Sequence, residues 1–470
     1  MENASVKYVY GAPEVLAFLD SDAYPHNEDA ASVRNYLRPL VEQANSSGYF
    51  IKNVQCEFGL LVIGAFCFPT TLSKPLGRLE MCKLFCPSGV WCNREDGKKG
   101  WETKGLHNTC YVTSPFLQYT RYIDTNARKL KLNLFLQMII QATLAWLAAV
   151  FFVTELDRVV YVNNFLLGGS NLWPCFKQAY SSEEFDQILK RALGVLRDFH
   201  PDRIVLFKSI DDRGTSCVVR DSLRRLGARK ILSSQVYYQN VLDKEIWKKR
   251  SLRSDFSYSS SMFSSGAYFF YSLNLRLDSF GNYKMQGREG EWGTIGSGDL
   301  RKILSRIVEL YEQLYLEKYS SVNPRFSSRF ILDCILSKFL TVQLLIQGKK
   351  SFMAGDLMMD PKNIQGVIGY WSRGGILTTP LLGYDTSLPE RNGLYRMLCL
   401  AVMIVGRDHN LLINAGAGAG DFKRRRGAES FVEYNTVFAH RELPLYRKMP
   451  WIILEWMTRI VILASRNSFS

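Results

Sequence analysis

The sequence predicts an α/β fold with two similar domains, each a mixed, twisted sheet flanked by helices. Three observations support this prediction. Hydrophobic residues make up 47% and charged residues 22% of the 470 residues, as in ordinary globular proteins. Segments with the apolar period of a helix alternate with short, β-branched segments typical of strands. The order of these segments occurs twice, and each occurrence ends in a Gly-Ala pair, at Gly227 and Gly427.

The first occurrence contains five predicted elements before its Gly-Ala pair. They are strand 159–167, loop 168–180, helix 181–198, strand 204–210 and short helix 215–226. Ser181 and Glu184 have the spacing of a capping box, which favours a helix start there. After Gly227, the alternating segment "RKILSSQVYYQN" predicts a further strand.

The second occurrence has the same order. Its predicted elements are strand 376–385, loop 386–393, helix 394–406, strand 411–415 and short helix 420–426. The segment "FVEYNTVFA" then predicts the strand that closes the second sheet. Each occurrence is also preceded by an apolar segment predicted to be a helix, 132–153 and 330–347.

A repeat of this length, occurring twice, predicts two similar domains rather than a solenoid. We place an N-terminal domain at residues 1–245, a Ser/Gly-rich connection at 246–295 and a C-terminal domain at 296–470. Within the connection, the serine-rich segment 251–266 is predicted to be either a flexible crossing between the halves or an active-site loop.

Membrane insertion and secretion are not favoured by the sequence. The apolar run 130–152 is long enough to span a bilayer. However, Lys131 and Asn133 interrupt it, and it continues directly into a predicted strand. The N-terminus lacks the basic-then-apolar pattern of a signal peptide. We therefore predict a cytoplasmic protein without stable membrane insertion, and keep membrane association through 130–152 as an alternative.

The cysteine pattern favours a reducing compartment and no metal. The sequence has ten cysteines, mostly inside apolar runs, which is typical of buried free thiols. The densest group lacks the paired spacing of a zinc site. This group consists of Cys82, Cys86, Cys92, His107 and Cys110.

The glycines at 416, 418 and 420 do not form a dinucleotide-binding loop. That fingerprint needs G-x-G-x-x-G, and position 421 is Asp. Only one clear strand follows, so too little chain remains for a doubly wound domain. We interpret these glycines as the place where a strand ends abruptly and approaches a ligand or another strand.

The element order, with loop "TSLPERNG" (386–393) before a helix and a short helix ending in "RG", resembles the GNAT acyltransferase superfamily. The occurrence of this element order twice in the chain resembles the tandem-domain, Fem-like aminoacyl transferases. The resemblance implies that strand 376–385 pairs with the pantetheine arm of a donor. It also implies that amides at the following helix N-terminus bind the pyrophosphate, as anions bind generally at such positions. The implied donor-binding residues are Arg391, Asn392, Gly393, Leu394 and Arg396.

The sequence alone does not determine the identity of the donor. The usual Q/R-x-x-G-x-G/A loop of the superfamily is absent, and "LPERNG" stands in its place. The implied donor is acetyl-CoA or another acyl-CoA, with aminoacyl-tRNA, or no donor, as alternatives. "DFKRRRG" is similar to the FK-x-x-x-G segment of Fem-like chains, which implies that Lys423 faces a substrate phosphate or carboxylate.

Amide formation needs an amine placed near a carbonyl, a base and a proton donor. The candidate catalytic residues are Glu433, Asp385, Tyr384 and Tyr395. Three of them have a structural alternative: a cross-strand ion pair for Glu433, a turn cap for Asp385 and aromatic packing for Tyr395. The candidate acceptor-binding residues are Asn163, Asn164 and Asn171, for which turn formation is the alternative.

These observations predict an N-acyltransferase that acts on a small-molecule or peptide amine in a cleft between the two domains. The 59 basic and 44 acidic residues leave a net charge of +15, which suits an anionic partner. The alternatives are a non-catalytic RNA- or nucleotide-binding protein on the same fold and an aminoacyl-tRNA-dependent transferase, with tRNA the less favoured partner.

Overall fold

The computed structural model describes most of the chain after residue 181 and short segments before it. The described ranges are 6–10, 50–56, 65–67, 159–162, 182–199, 204–210, 215–287, 290–319, 326–348 and 360–465, with residues 17, 20, 31–32, 34–35, 38–39 and 201.

The described residues include 15 strands. They are β1 Val6–Tyr10, β2 Phe50–Cys56, β3 Ala65–Cys67, β4 Val159–Val162, β5 Ile204–Ile210, β6 Arg229–Gln239, β7 Tyr268–Leu273, β8 Leu275–Leu277, β9 Tyr283–Gln286, β10 Trp292–Thr294, β11 Thr341–Gln347, β12 Ile364–Arg373, β13 Ile376–Tyr384, β14 Leu412–Ala417 and β15 Glu429–Phe438.

The described α-helices lie between these strands. They are α1 Ser182–Phe199, α2 Thr215–Arg225, α3 Lys244–Lys248, α4 Arg250–Ser264, α5 Ser297–Glu312, α6 Ser328–Leu336, α7 Leu394–Asp408, α8 Gly420–Arg425 and α9 Leu445–Ser465. A π-helical segment, Gln313–Tyr319, continues α5, and 3₁₀ turns occupy Pro361–Asn363 and Glu390–Asn392.

Twelve strands form one mixed sheet in the order β1-β2-β3-β4-β5-β15-β6-β14-β13-β12-β11-β7, and β8, β9 and β10 form a small second sheet. Helices pack against the large sheet, so the predicted α/β class with a mixed sheet and flanking helices is confirmed. The division into domains at 245 and 296 stays a prediction.

The centre of the sheet joins the two predicted repeats. β4 pairs with β5 in parallel in the first repeat, and β13 pairs with β14 in parallel in the second. β15 lies between β5 and β6, and β6 lies between β15 and β14. The closing strand of each repeat therefore pairs with the other repeat. β6 and β15 are antiparallel, with Arg229 opposite Val437 and Tyr238 opposite Glu429.

Two apolar layers cover the sheet formed by the second repeat. Leu344 packs with α5 and α6, whereas Leu345 packs with α7. Val367 likewise packs in the layer of α5 and α6, and Ile368 packs in the layer of α7. Neighbouring strand residues point to opposite faces of a sheet, so this segment is apolar at successive positions because both faces are covered.

The prediction of one helix over 330–347 is wrong. Helix α6 ends at Leu336, and the same apolar run continues as strand β11 from Thr341. Lys338 has a left-handed backbone, with φ of 58°, and the amide of Leu340 donates back to the carbonyl of Cys334 at 3.0 Å. Apolar content alone does not distinguish a buried helix from a buried strand, and this left-handed turn divides them.

The serine-rich segment 251–266 is neither a flexible crossing nor a loop. Fifteen residues from Arg250 to Ser264 form α4. Leu252, Asp255 and Ser259 are buried at helical spacing, and α4 packs against α7. Packing of this face outweighs the low helix propensity of serine.

Among the described residues, none of the helices combines the length and apolar character needed to cross a bilayer. The apolar run 130–152 and the cysteine group from Cys82 to Cys110 lie outside the described residues.

Gly383 fixes the approach of β13 to α5. A Cβ atom at this position would lie 2.6 Å from the carbonyl carbon of Leu310 and 2.6 Å from the amide nitrogen of Tyr311. We predict that Gly383→Ala lowers the free energy of unfolding by about 1–3 kcal/mol, because helix backbone cannot move aside as a side chain can. Chemical denaturation measures this change.

The matched control is Gly298→Ala in α5, where a Cβ atom meets nothing within 4 Å. This change is expected to leave stability equal or slightly raised. Equal losses for both variants would contradict the proposed contact.

Candidate functional site

A gap opens between β13 and β14. The two strands pair in parallel over three positions, from Ile376 opposite Leu412 to Thr378 opposite Asn414. Beyond Thr378, β13 stays paired with β12 up to Tyr384, while β14 pairs with β6 on its other side. The facing edges of β13 and β14 therefore separate within the sheet.

The glycine-rich stretch ends β14 at this gap. Gly416, Gly418 and Ala419 all have left-handed backbone, with φ of 65°, 79° and 47°. The amide of Gly416 donates to Asn414 Oδ1 at 2.9 Å. Left-handed residues in close succession turn the chain sharply from the strand into α8, which agrees with an abrupt strand end.

Lys423 lies under this turn. Its Nζ donates to the carbonyls of Ala415 at 2.6 Å, Gly416 at 3.1 Å and Ala417 at 3.0 Å. The side chain is buried, and burial lowers the pKa of Lys423 to about 8. Lys423 thus satisfies the carbonyls that β14 leaves without strand partners. Its predicted contact with a substrate phosphate or carboxylate stays a prediction.

The gap leads into an apolar cavity of about 330 Å³, which we call the inner cavity. It lies between the π-helical segment, α7 and the sheet. Its apolar lining includes Leu314, Ile368, Leu382, Val402, Met403 and Ile413. The buried Gln239 from β6 and the half-buried Cys399 from α7 also line it. Burial raises the pKa of Cys399 to about 11, which keeps this thiol protonated at neutral pH.

A second cavity of about 770 Å³, the outer cavity, adjoins the inner one. Tyr395 and Phe422 line both cavities, and their ring centroids are 4.7 Å apart. The outer cavity carries five basic side chains, from the π-helical segment, the 3₁₀ turn before α7, α7 itself, and α8 with its C-cap. They are Lys318, Arg391, Arg396, Arg425 and Arg426. Three acidic side chains also line the outer cavity: Asp385, Glu390 and Asp421. The pair of cavities therefore combines an apolar interior with a mouth that is cationic on balance, which we call the cationic mouth.

The N-terminus of α7 opens on the outer cavity. Its N-cap is Gly393, which has φ of 60°, and no side chain among the described residues caps the helix. A Cβ atom at Gly393 would lie 2.5 Å from Cε1 of Tyr258. Both the backbone angle and the close contact require glycine here. The first amides of α7 and the positive end of its dipole therefore face the cavity.

Helix α4 holds the walls of the outer cavity together through Asp255. This buried carboxylate accepts from Nε of Arg426 at 2.5 Å and lies 3.6 Å from Nη1 of Arg396. The hydroxyl of Tyr258 donates to the carbonyl of Arg391 at 2.8 Å, and Ser251 Oγ donates to the carbonyl of Arg425 at 2.6 Å. Asp255 and Tyr258 thus fix α7 and α8 relative to each other.

Sequence reasoning did not identify Asp255 or Tyr258. Asp255 is the one acidic residue of α4. The sequence did contain one signal for Asp255. It lies three residues after Leu252 and four before Ser259, so a helix would place these residues on one face.

Three predicted catalytic residues line the outer cavity: Tyr384, Asp385 and Tyr395. Burial alone would raise the pKa of Asp385, but hydrogen bonds from Ser387 and Arg306 outweigh it and lower this pKa. Asp385 Oδ1 accepts from the Ser387 amide at 3.0 Å, and Oδ2 accepts from Arg306 at 2.7 Å. Asp385 is therefore an ionised turn cap.

The two tyrosines differ in environment. Burial raises the pKa of Tyr395, so its hydroxyl stays protonated and can donate. Tyr384 Oη accepts from Lys318 Nζ at 3.3 Å. The two rings lie with centroids 6.0 Å apart.

Glu433 is not brought to these cavities. It is buried in β15, at a register shift against β6, and lines neither cavity. Asn163, Asn164 and Asn171 lie outside the described residues. Arg391, Gly393, Leu394 and Arg396 line the outer cavity, while Asn392 lies in the 3₁₀ turn before α7. The catalytic and binding roles of all these residues stay predictions.

The chain was compared with known proteins. No protein-family model matches it, and no curated protein sequence does. Among solved structures, L-PGS from Bacillus licheniformis is similar at 13% identity and a TM-score of 0.39, covering 65% of this chain and 83% of that one.

Two further solved structures are similar to a comparable extent. The C-terminal domain of a putative lysylphosphatidylglycerol synthetase from Agrobacterium fabrum is 13% identical with a TM-score of 0.40, covering 65% of this chain and 82% of that one. FemX is 10% identical with a TM-score of 0.40, covering 62% of this chain and 83% of that one. At these identities and TM-scores, we transfer no activity to this chain.

We predict that Asp255→Ala lowers the free energy of unfolding by about 3–5 kcal/mol, because it leaves Arg426 buried without its carboxylate. The matched control is Asp408→Ala, which removes an exposed partner of Arg407 and is expected to change stability by less than about 1 kcal/mol. Urea denaturation distinguishes the two. A loss for Asp255→Ala no larger than that of the control would show that α4 does not brace the site.

Lys423 gives a pH-dependent prediction. Its pKa is about 8 in the folded chain, against roughly 10.4 when unfolded. Between these values the unfolded chain binds more protons, so stability rises with pH. From pH 8 to 10.5, we expect the free energy of unfolding of wild type to rise by on the order of 3 kcal/mol relative to that of Lys423→Met, and not to change below pH 7.

Lys302→Met, which removes an exposed lysine, controls for the loss of a positive charge. A difference between wild type and Lys423→Met that is independent of pH would be evidence against this assignment.

Proposed function

We propose that this protein is a transferase that moves an acyl or aminoacyl group from a phosphate-bearing carrier to an amine. The observation that carries the proposal is the gap between β13 and β14, which connects an apolar cavity to the uncapped N-terminus of α7. An extended donor arm in this gap would pair with the free edge of β13. Its phosphates would meet the amides of α7 and the Arg391 guanidinium.

In the proposed reaction, the amine nitrogen attacks the donor carbonyl carbon. A C–N bond forms, and the C–S bond of a thioester or the C–O bond of an ester breaks. We assign Tyr395 as the hydrogen-bond donor that stabilises the charge developing on the leaving sulfur or oxygen, because it lies at the junction of the two cavities and its raised pKa keeps the phenol protonated. The ionised Asp385 with Tyr384 would bind the acceptor as its ammonium, which gives one proton to solvent before the attack. The second proton, released from the nitrogen as the C–N bond forms, passes to the leaving sulfur or oxygen.

The preferred donor is acetyl-CoA or a longer acyl-CoA, and the preferred acceptor is a small-molecule or peptide amine. Aminoacyl-tRNA offers the same anionic chemistry with a much larger carrier. One observation supports a nucleic-acid partner as the second candidate. The basic runs at 248–250 and 423–426 are neighbours, since a Cβ atom at Gly427 would lie 3.0 Å from Cε of Lys249.

The test is thermal unfolding of the full chain with free CoA, acetyl-CoA, longer acyl-CoAs or an aminoacyl-tRNA. A ligand at 100 times its dissociation constant stabilises the folded chain by about 2.7 kcal/mol. We predict that Arg391→Ala weakens binding about tenfold, because it removes a charge-assisted hydrogen bond to phosphate. Arg407→Ala, at the opposite end of α7, is the matched control and is expected to bind as wild type.

The ligands separate the two candidates. A shift with CoA species supports acyl-CoA as donor. A shift with tRNA that is lost steeply on adding salt supports nucleic-acid binding. If none of these ligands raises the unfolding midpoint, the proposed function is wrong.

A further inference from the structure

Helix α9 has two apolar faces. Successive residues of an α-helix turn by about 100°. Trp451, Leu454 and Thr458 fall on one side and are buried, and α9 packs against β6. Leu445 and Trp456 fall on the opposite side and are each 67% exposed. One apolar face therefore holds the helix on the sheet, and the other is left largely exposed by the residues that the structure describes.

The exposed face is a continuous stripe, which we call the α9 stripe. It consists of the exposed Leu445, Tyr446, Met449 and Trp456 and of the half-buried Ile452 and Ile453 between them. Scattered single apolar residues on a surface need no explanation, but a contiguous row along a helix marks an interaction surface. Its aromatic members, Tyr446 and Trp456, are the residue types enriched at membrane–water interfaces.

The charges around the α9 stripe are predominantly basic. Lys448 and Arg459 lie along one edge of the stripe, whereas Arg447 falls on the packed side with Trp451 and Leu454, and Glu455 is the one acidic residue of α9. Glu455 is buried and accepts from both Arg229 and Arg459 at 2.7 Å, so it presents little negative charge to solvent. An apolar stripe with cations along one edge is complementary to an anionic lipid surface.

We propose that the α9 stripe docks the protein on the surface of an anionic bilayer, with Trp456 and Leu445 inserted at the headgroup boundary. A second copy of the chain fits less well. A stable protein interface uses roughly 20–30 residues on each side, and the stripe offers six side chains in a single row. This docking is independent of the donor proposed above, since no residue of the stripe lines either cavity.

The test is co-sedimentation of the full chain with phosphatidylglycerol/phosphatidylcholine vesicles and with pure phosphatidylcholine vesicles. We expect binding to the anionic vesicles that weakens with added salt and is much weaker on neutral ones. Met449→Ser with Trp456→Ser is expected to reduce the partition coefficient about tenfold or more, because it removes apolar insertion while keeping every charge. Thermal unfolding checks that this variant is folded.

The matched control is Phe280→Ser, which removes an apolar side chain that is 88% exposed elsewhere on the molecule. It is expected to partition like wild type. Equal losses in both variants, or no binding to anionic vesicles, would overturn the proposal. So would a concentration-dependent dimer in light scattering that only the α9 double variant abolishes, because the stripe would then bind a second copy.

Discussion

The candidate site depends on how the chain satisfies backbone groups where two paired strands separate. After β14 leaves β13, its last carbonyls have no strand partner on that side, and a buried carbonyl without a hydrogen bond costs about 1–3 kcal/mol. Lys423 supplies donors to three of them. Left-handed Gly416 and Gly418 bring these carbonyls around a single ammonium group. The gap between the strands is therefore a stable part of the fold.

The second constraint is the carboxylate of Asp255 between Arg396 and Arg426. Arg396 lies in the first turn of α7, and Arg426 follows α8. Both helices line the outer cavity, so the bridge through Asp255 of α4 fixes how far apart they lie there. The guanidinium of Arg426 also lies 3.4 Å over the ring of Phe422, which separates the two cavities. A single buried charge thereby positions both the cationic mouth and its junction with the apolar interior.

Periodicity and glycine positions were sufficient to predict the elements of the two repeats after residue 181. Helix 394–406, strand 376–385 and the strand after Gly427 are found within one to three residues of their predicted ends. The prediction of one helix over 330–347 was wrong because a buried strand and a buried helix are equally apolar. The prediction of a crossing or loop over 251–266 was wrong because the stability of α4 comes from tertiary contacts. The predicted loop 386–393 lines the outer cavity, but Glu433 does not reach it, since sequence alone gave no information on strand order.

Strand order also explains why the site draws on both repeats. Because β6 lies beside β14, Gln239 of the first repeat reaches the inner cavity, and its Nε2 donates to the carbonyl of Arg426 at 2.5 Å. β15 of the second repeat is in turn held between β5 and β6. Each closing strand thus has hydrogen-bond partners in the other half of the chain. A change in the pairing of β6 with β15 would therefore shift a wall of the inner cavity, which couples the first repeat to the proposed donor site.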